Sequence, residues 1–193
     1  MYPIIEEIFP ENTLDPKQSS TIYSKLKPRS LSKGDLLLRP HQEVNELFYV
    51  KTGCLRSYII DLEGKEHTLQ FAVNSWWISD YIALYGRAKT HAVTHLECLK
   101  HAEVYGIFKT DFDQLCIDIP EVANFHKRKM ELAFASFQNR ILENLTLSAK
   151  QRYLNFVATY PTITNVVKNY HIASYLGITT ESLSRIRKEL SNS

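Results

Sequence analysis

Nothing in the 193-residue sequence comes near the ~20 consecutive apolar residues that span a bilayer; runs such as LFYV and IFP are far too short. The N-terminal stretch MYPIIEEIFPEN has no basic region followed by an apolar core, so no secretory leader is expected and a cytoplasmic location is. Cysteine is scarce. Cys54, Cys98 and Cys116 are odd in number and widely spaced, which fits neither a disulfide framework nor a structural zinc or iron–sulfur site. There is no Gly-rich phosphate loop, no nucleophile elbow and no paired-carboxylate motif, so the chain is not expected to be an enzyme or to need a cofactor.

What is present is an ordinary globular composition, 44% hydrophobic, able to bury a substantial core in one or two domains. The net charge of +2 hides an uneven distribution: 17 of the 23 Lys and Arg lie with 19 of the 21 Asp and Glu before residue 146, leaving six basic residues against two acidic ones in the rest. The excess positive charge sits at the C-terminal end, where a phosphate backbone would be met.

That end carries NYHIASYLGITTESLSRIRKEL, residues 169–190. Ile172, Ala173, Leu176, Ile178, Leu183 and Ile186 are spaced as two short helices packing across a corner, a helix-turn-helix pattern. Ala173 is small where the helices cross, Gly177 suits a left-handed helix end, and Thr179 suits the N-cap of the second helix. With the apolar residues inward, the second helix would expose Thr180, Glu181, Ser184, Arg185 and Lys188. Arg185 can give two parallel hydrogen bonds to guanine O6 and N7, and Glu181 can accept from cytosine N4, so Thr180, Glu181, Ser184 and Arg185 are the candidate base readers. A surface Glu181–Arg185 pair is the bland alternative. Lys168, Asn169, Tyr170, Thr179, Ser182, Arg187 and Lys188 are candidate phosphate contacts, which fix register without reading sequence.

Before it, residues 2–27 mix helix formers with Pro3, Pro10 and Pro16, predicting short covering helices. Residues 29–104 hold short runs rich in Leu, Val, Ile, Tyr and Phe bounded by turn residues, predicting an antiparallel sandwich or barrel, with a hairpin turn at Glu63-Gly64. No long helix interrupts them, which argues against a parallel α/β sheet. A long helix follows over 121–145. Its stripe of Met130, Phe134, Phe137, Ile141 and Leu145 suits either an internal core or pairing with a second copy. A helix over 148–159 and one or two short strands over Thr162 to Lys168 complete the expectation.

This order resembles the Crp/Fnr family of bacterial transcription regulators over most of the chain. Glu181, Ser184 and Arg185 in GITTESLSRIRK match the family's recognition-helix motif; SAKQRY at 148–153, KGDLLLR and YVKTGCLRSYIID are similar to further family segments. The resemblance implies an α+β protein with an N-terminal cyclic-nucleotide-binding-like β-roll as sensor (1–119), a long dimerisation helix (120–145) and a C-terminal winged helix-turn-helix (146–193). The implied partners are double-stranded DNA as a palindromic operator, a second copy of the chain and RNA polymerase, with a small-molecule effector left open and no membrane.

Members that bind cyclic AMP carry a Gly-Glu pair for the ribose and, about ten residues on, an Arg-Ser pair for the phosphate. Here Ser79-Asp80 and Thr90-His91 stand at those positions. A buried cyclic phosphate needs a bidentate cation, and neither Thr90 nor His91 supplies one, so tight cyclic AMP binding is not expected. Arg87 and Lys89 lie nearby. Trp76, Trp77, Tyr81 and Tyr85 either fill the core there or border an apolar effector site. The competing reading is a cupin-like, metal- or ligand-binding β-barrel whose terminal helices only dimerise. A strand HAVTHLE would put His91, Val93, His95 and Glu97 on one face, with His67 as a further ligand.

Overall fold

The computed structural model describes residues 2–10, 14–86 and 91–191. Two short helices, α1 (Pro3–Ile8) and α2 (Pro16–Lys25), precede six strands: β1 (Lys27–Leu31), β2 (Leu36–Leu38), β3 (Glu46–Ile60), β4 (Glu66–Ala72), β5 (Trp76–Ile78) and β6 (His95–Phe108). A single helical turn, α3 (Tyr81–Tyr85), follows β5, and helices α4 (Lys109–Asp118), α5 (Pro120–Thr146), α6 (Ala149–Thr159), α7 (Asn169–Leu176) and α8 (Thr180–Ser191) complete the chain. The architecture is α+β, an antiparallel β-roll followed by helices.

All pairings in the sheet are antiparallel, in the order β1-β6-β3-β4, with β2 also on β6 and β5 also on β3. The 15-residue β3 spans both halves of the roll because it creases at Gly53. There φ is +101°, and a Cβ would lie 2.5 Å from both the Ala102 Cβ and the His101 carbonyl oxygen, so any other residue would have to displace β6.

Three cores follow from the apolar faces. One lies under the N-terminal helices, where Ile4, Ile8 and Ile22 meet Leu47, Tyr49, Phe112, Val122 and Phe125. The second fills the roll with Phe48, Val50, Leu55, Ile78, Leu96 and Val104. The third joins Cys54, Phe71 and Leu99 of the sheet to Tyr153, Phe156, Tyr160, Ile163, Ile172, Leu176, Leu183 and Ile186 of the C-terminal helices. Phe71 is its hinge point, with ring centroids 5.4 Å from Tyr175, 6.1 Å from Phe156 and 6.4 Å from Tyr160. Burying one such ring stabilises the fold by roughly 1.5–3 kcal/mol.

Helix α6 starts with a capping box in which Ser148 accepts from the Gln151 N–H while the Gln151 side chain accepts from the Ser148 N–H. Beyond it, one expectation is corrected. Thr162 to Lys168 forms no strand but a 3₁₀ turn, Ile163–Asn165. A strand needs a ladder partner, and among the described residues none pairs with it; the segment instead closes on itself, the Val166 and Val167 N–H groups donating to the Ile163 carbonyl, and buries Ile163 and Val167 in the third core. Among the described residues no strand lies beyond β6, so the helix-turn-helix shows no wing strands there. No helix of the described residues is long and apolar enough to cross a membrane.

Candidate nucleic-acid interface

Helices α7 and α8 meet at Gly177, whose φ of +66° and ψ of 34° place it in the left-handed region and let its N–H reach back to close α7. Nothing lies within 4 Å of the point where a Cβ would stand at this glycine, so backbone conformation rather than space calls for glycine. Ile172, Ala173, Leu176, Leu183 and Ile186 are buried between the helices and the sheet. The Ser182 N–H donates to the Thr179 hydroxyl at 3.2 Å, capping α8.

Thr180, Glu181, Ser184, Arg185 and Lys188 all stand exposed on the opposite side of α8. The Glu181 carboxyl lies below its ordinary range, held there first by its own N–H, then by the Thr179 hydroxyl, with attraction to Arg185 a smaller contribution. Its ionised form is therefore the one offered to a partner. Arg187 donates to the Asn169 side chain at 2.6 Å, locking the two helices together. Lys168, Asn169 and Tyr170 are exposed at the start of α7, and Lys168 lies over the Tyr170 ring. The face is polar, and the helix that carries it is anchored in the third core through Leu183 and Ile186.

On α5 only the first turns are buried, through Val122 and Phe125. Met130 is half-buried and lines a small cavity with Leu47, Trp77, Tyr81, Phe112, Phe125 and His126 of its own chain. Farther along, Phe134, Phe137 and Ile141 are 63%, 56% and 45% exposed, and Leu132, Leu142 and Leu145 join them.

The turn at Ser79 and Asp80 is closed by its own chain. Asp80 is buried, caps α3 by accepting from the Ala83 N–H at 3.1 Å, and also accepts from the Val93 N–H, the Thr94 N–H and the Thr94 hydroxyl at 2.7, 2.9 and 3.0 Å. Burial raises its carboxyl, but these hydrogen bonds together outweigh burial and hold it below the ordinary value. The amides that could receive an anion thus already hold one. Ser79 is buried too and donates to the Glu46 carbonyl. His91 is exposed beside a bridge to Glu43, while Thr90, Arg87 and Lys89 lie outside the described residues. Trp77 packs on Tyr49 and Phe112, and Trp76 on Tyr160.

The four candidate metal ligands are not brought together. The strand expected over HAVTHLE begins only at His95: His91 and Ala92 pair with residues 41–43, and the Val93 and Thr94 N–H groups turn to Asp80. His95 stacks on Tyr58, Glu97 pairs with Arg56, and His67 bonds Asp61 at 2.6 Å. Among the described residues no three His, Cys, Asp or Glu side chains group to hold a metal ion. Burial pushes the Cys54 thiol up to about 12 and the Cys98 thiol up to about 11, so neither is a reactive thiolate near neutrality.

Sequence reasoning missed a buried charge network beneath α7. Arg56, 1% exposed, pairs with Glu66 on β4 at 2.7 Å and with Glu97 on β6 at 2.6 Å and lies 3.9 Å over the Tyr58 ring. His171 of α7 is buried near it, its pKa lowered to about 3 by burial first and then by Arg56, Lys168 and Lys33. These charges meet only through the register of β3 with β4 and β6, which no local pattern in the sequence gives.

Comparison with known proteins gives a consistent result. The family model of the cyclic nucleotide-binding domain matches residues 28–118. A probable transcriptional regulator, flp, of Lacticaseibacillus casei is 28% identical over 169 residues, covering 84% of this chain and 75% of that one. The solved structure of the global regulator CLP of Xanthomonas campestris, described as responsive to c-di-GMP, has a TM-score of 0.72 at 13% identity, over 92% of each chain. A regulator of the Crp/Fnr family from Eubacterium rectale has a TM-score of 0.69 at 21% identity, over 92% of this chain and 84% of that one.

Proposed function

We propose, for a chain that belongs to the Crp/Fnr family of DNA-binding transcription regulators, that it works as a homodimer on a two-fold symmetric operator and without cyclic AMP. The observation that carries the reading is the exposed polar face of α8 on a core-anchored helix-turn-helix. Arg185 and Glu181 read a G·C pair and its neighbour, Thr180 and Ser184 flank them, and Lys168, Asn169, Tyr170, Thr179, Ser182, Arg187 and Lys188 border the phosphates. We take residues 1–119 as sensor, 120–145 as dimerisation helix and 146–193 as DNA-binding unit.

Dimerisation is supported by Phe134, Phe137 and Ile141, a solvent-exposed apolar stripe that a second α5 would cover. Parallel packing along it would hold the two copies of α8 at the separation of about 34 Å that successive major grooves demand. Independence from cyclic AMP is supported by Asp80, whose carboxylate already occupies the amides at the head of α3 and at Val93 and Thr94. A second anion there would meet both repulsion and a lack of donors. As in its relatives, the output is regulation of transcription rather than catalysis, and its work is on DNA in the cytoplasm.

The test is selection of bound sites from random duplex DNA, with sedimentation of the same protein. A palindromic consensus bound by a dimer, unchanged when cyclic AMP is added, is expected. An asymmetric site bound by a monomer, or micromolar cyclic AMP affinity by calorimetry, overturns the corresponding part.

A further inference from the structure

Strand β4 is where the two ends of the molecule are fastened. β3 pairs it on one side, and among the described residues no strand pairs it on the other, leaving a sheet edge, a row of backbone groups needing partners. Its ladder with β3 skips one residue: Ser57 pairs with Gln70 and Tyr58 with Thr68, which leaves Leu69 as the extra residue of a β-bulge. The Leu69 carbonyl accepts a hydrogen bond from the guanidinium of Arg140 on α5. The same guanidinium lies 4.7 Å from the ring centroid of Tyr175 on α7. Next to it, Ser174 of α7 uses one hydroxyl twice, accepting from the Thr68 N–H at 2.9 Å and donating to the Glu66 carbonyl at 2.8 Å.

Two side chains therefore tie the sheet edge, the long helix and the helix-turn-helix at one spot. The only covalent link between α5 and α6 is a short extended joint, Leu147 at φ −105°, ψ 150° and Ser148 at φ −66°, ψ 158°. Backbone at such a joint can rotate, so contacts elsewhere must fix where the helix-turn-helix points. The clasp leaves the base-reading face of α8 exposed, so it aims the reader without covering it.

We propose that Arg140 and Ser174 are positioning residues for operator recognition. By holding α7 against the bulged edge of β4, they set the distance between the two recognition helices, and hence the half-site spacing the protein accepts. The proposal rests on the dimeric reading above. Neither residue touches DNA; their effect is on geometry.

The experiment measures binding of the full chain, by fluorescence anisotropy, to the selected operator and to versions with one or two base pairs added or removed between half-sites. Wild-type protein is expected to lose about 30-fold in affinity across these changes, and the Arg140→Gln, Ser174→Ala double variant about threefold, because a loosened reader adapts where a fixed one must deform DNA. Arg140→Lys alone, which keeps a cationic donor of comparable length for the Leu69 carbonyl, is expected to keep much of the spacing preference. Amide exchange at Thr68 in Ser174→Ala is expected to quicken by about tenfold. A double variant that dimerises, binds the selected operator and keeps the full spacing preference overturns the positioning role. Wild-type protein that stays monomeric or selects no palindrome overturns the dimeric reading and the positioning role with it.

Discussion

Asp80 and Arg185 are both charged side chains, yet one is buried with every donor around it drawn from its own chain and the other stands in solvent on α8. Asp80 is structural: its carboxylate gathers the Ala83, Val93 and Thr94 N–H groups and the Thr94 hydroxyl of its own chain. Arg185 remains free for an external partner. The difference teaches that in this fold one charge can be used to hold a turn of its own chain together while another is left to solvent on a helix face.

The contrast is broken most severely at Asp80. Asp80→Ala leaves the Ala83, Val93 and Thr94 N–H groups buried without partners, and a loss of about 3–5 kcal/mol in denaturant unfolding is expected. A loss under about 1 kcal/mol would put Asp80 among the exposed, expendable charges. Arg185→Ala should do the reverse, leaving stability within about 0.5 kcal/mol and removing about 1–3 kcal/mol of discrimination at one base pair, measured by competition between operator variants. Lys188→Ala should weaken all duplexes alike and lower the salt slope by about one. Equal losses of selectivity in the two variants would mean that Arg185 only meets phosphate.

The smallest effect is on acid sensitivity, and it sharpens where the buried region ends. His171 belongs to the reading end by sequence but to the buried network by position, with a folded pKa of about 3 against an ordinary 6.5. As pH falls below 6.5 the unfolded chain takes up a proton that the folded chain refuses, so stability declines toward pH 3. The slope from this one group is about 1.4 kcal/mol per pH unit. Unfolding followed between about pH 6 and 5 should show that slope flattened in His171→Asn; an unchanged slope would assign the acid sensitivity to other groups.

What the sequence made legible was local. The inward spacing of Ile172, Ala173, Leu176, Leu183 and Ile186, the left-handed Gly177 and the cap at Thr179 need only neighbours in the chain, and the structure shows each. The roles of Arg56, His171, Arg140 and Ser174 depend on strands and helices far apart in sequence meeting, so no local period announces them. Thr162 to Lys168 shows the opposite failure. Its β-branched residues mark affinity for a packed surface, and a 3₁₀ turn against the aromatic core satisfies that as well as a strand would.

The bulged edge of β4 also has a consequence in time. Thr68 and its Ser174 partner are 106 residues apart, and Leu69 and Arg140 are 71 apart. On a ribosome adding about 5–20 residues per second, the sheet has all its strands once β6 has emerged, but its open edge waits several seconds more for the helices that cover it. For that interval the nascent chain presents the kind of strand to which other chains add. Helix α7 is thus also the last-arriving protection of the roll's open edge, and fragments that stop short of α7 should be the forms most dependent on chaperones.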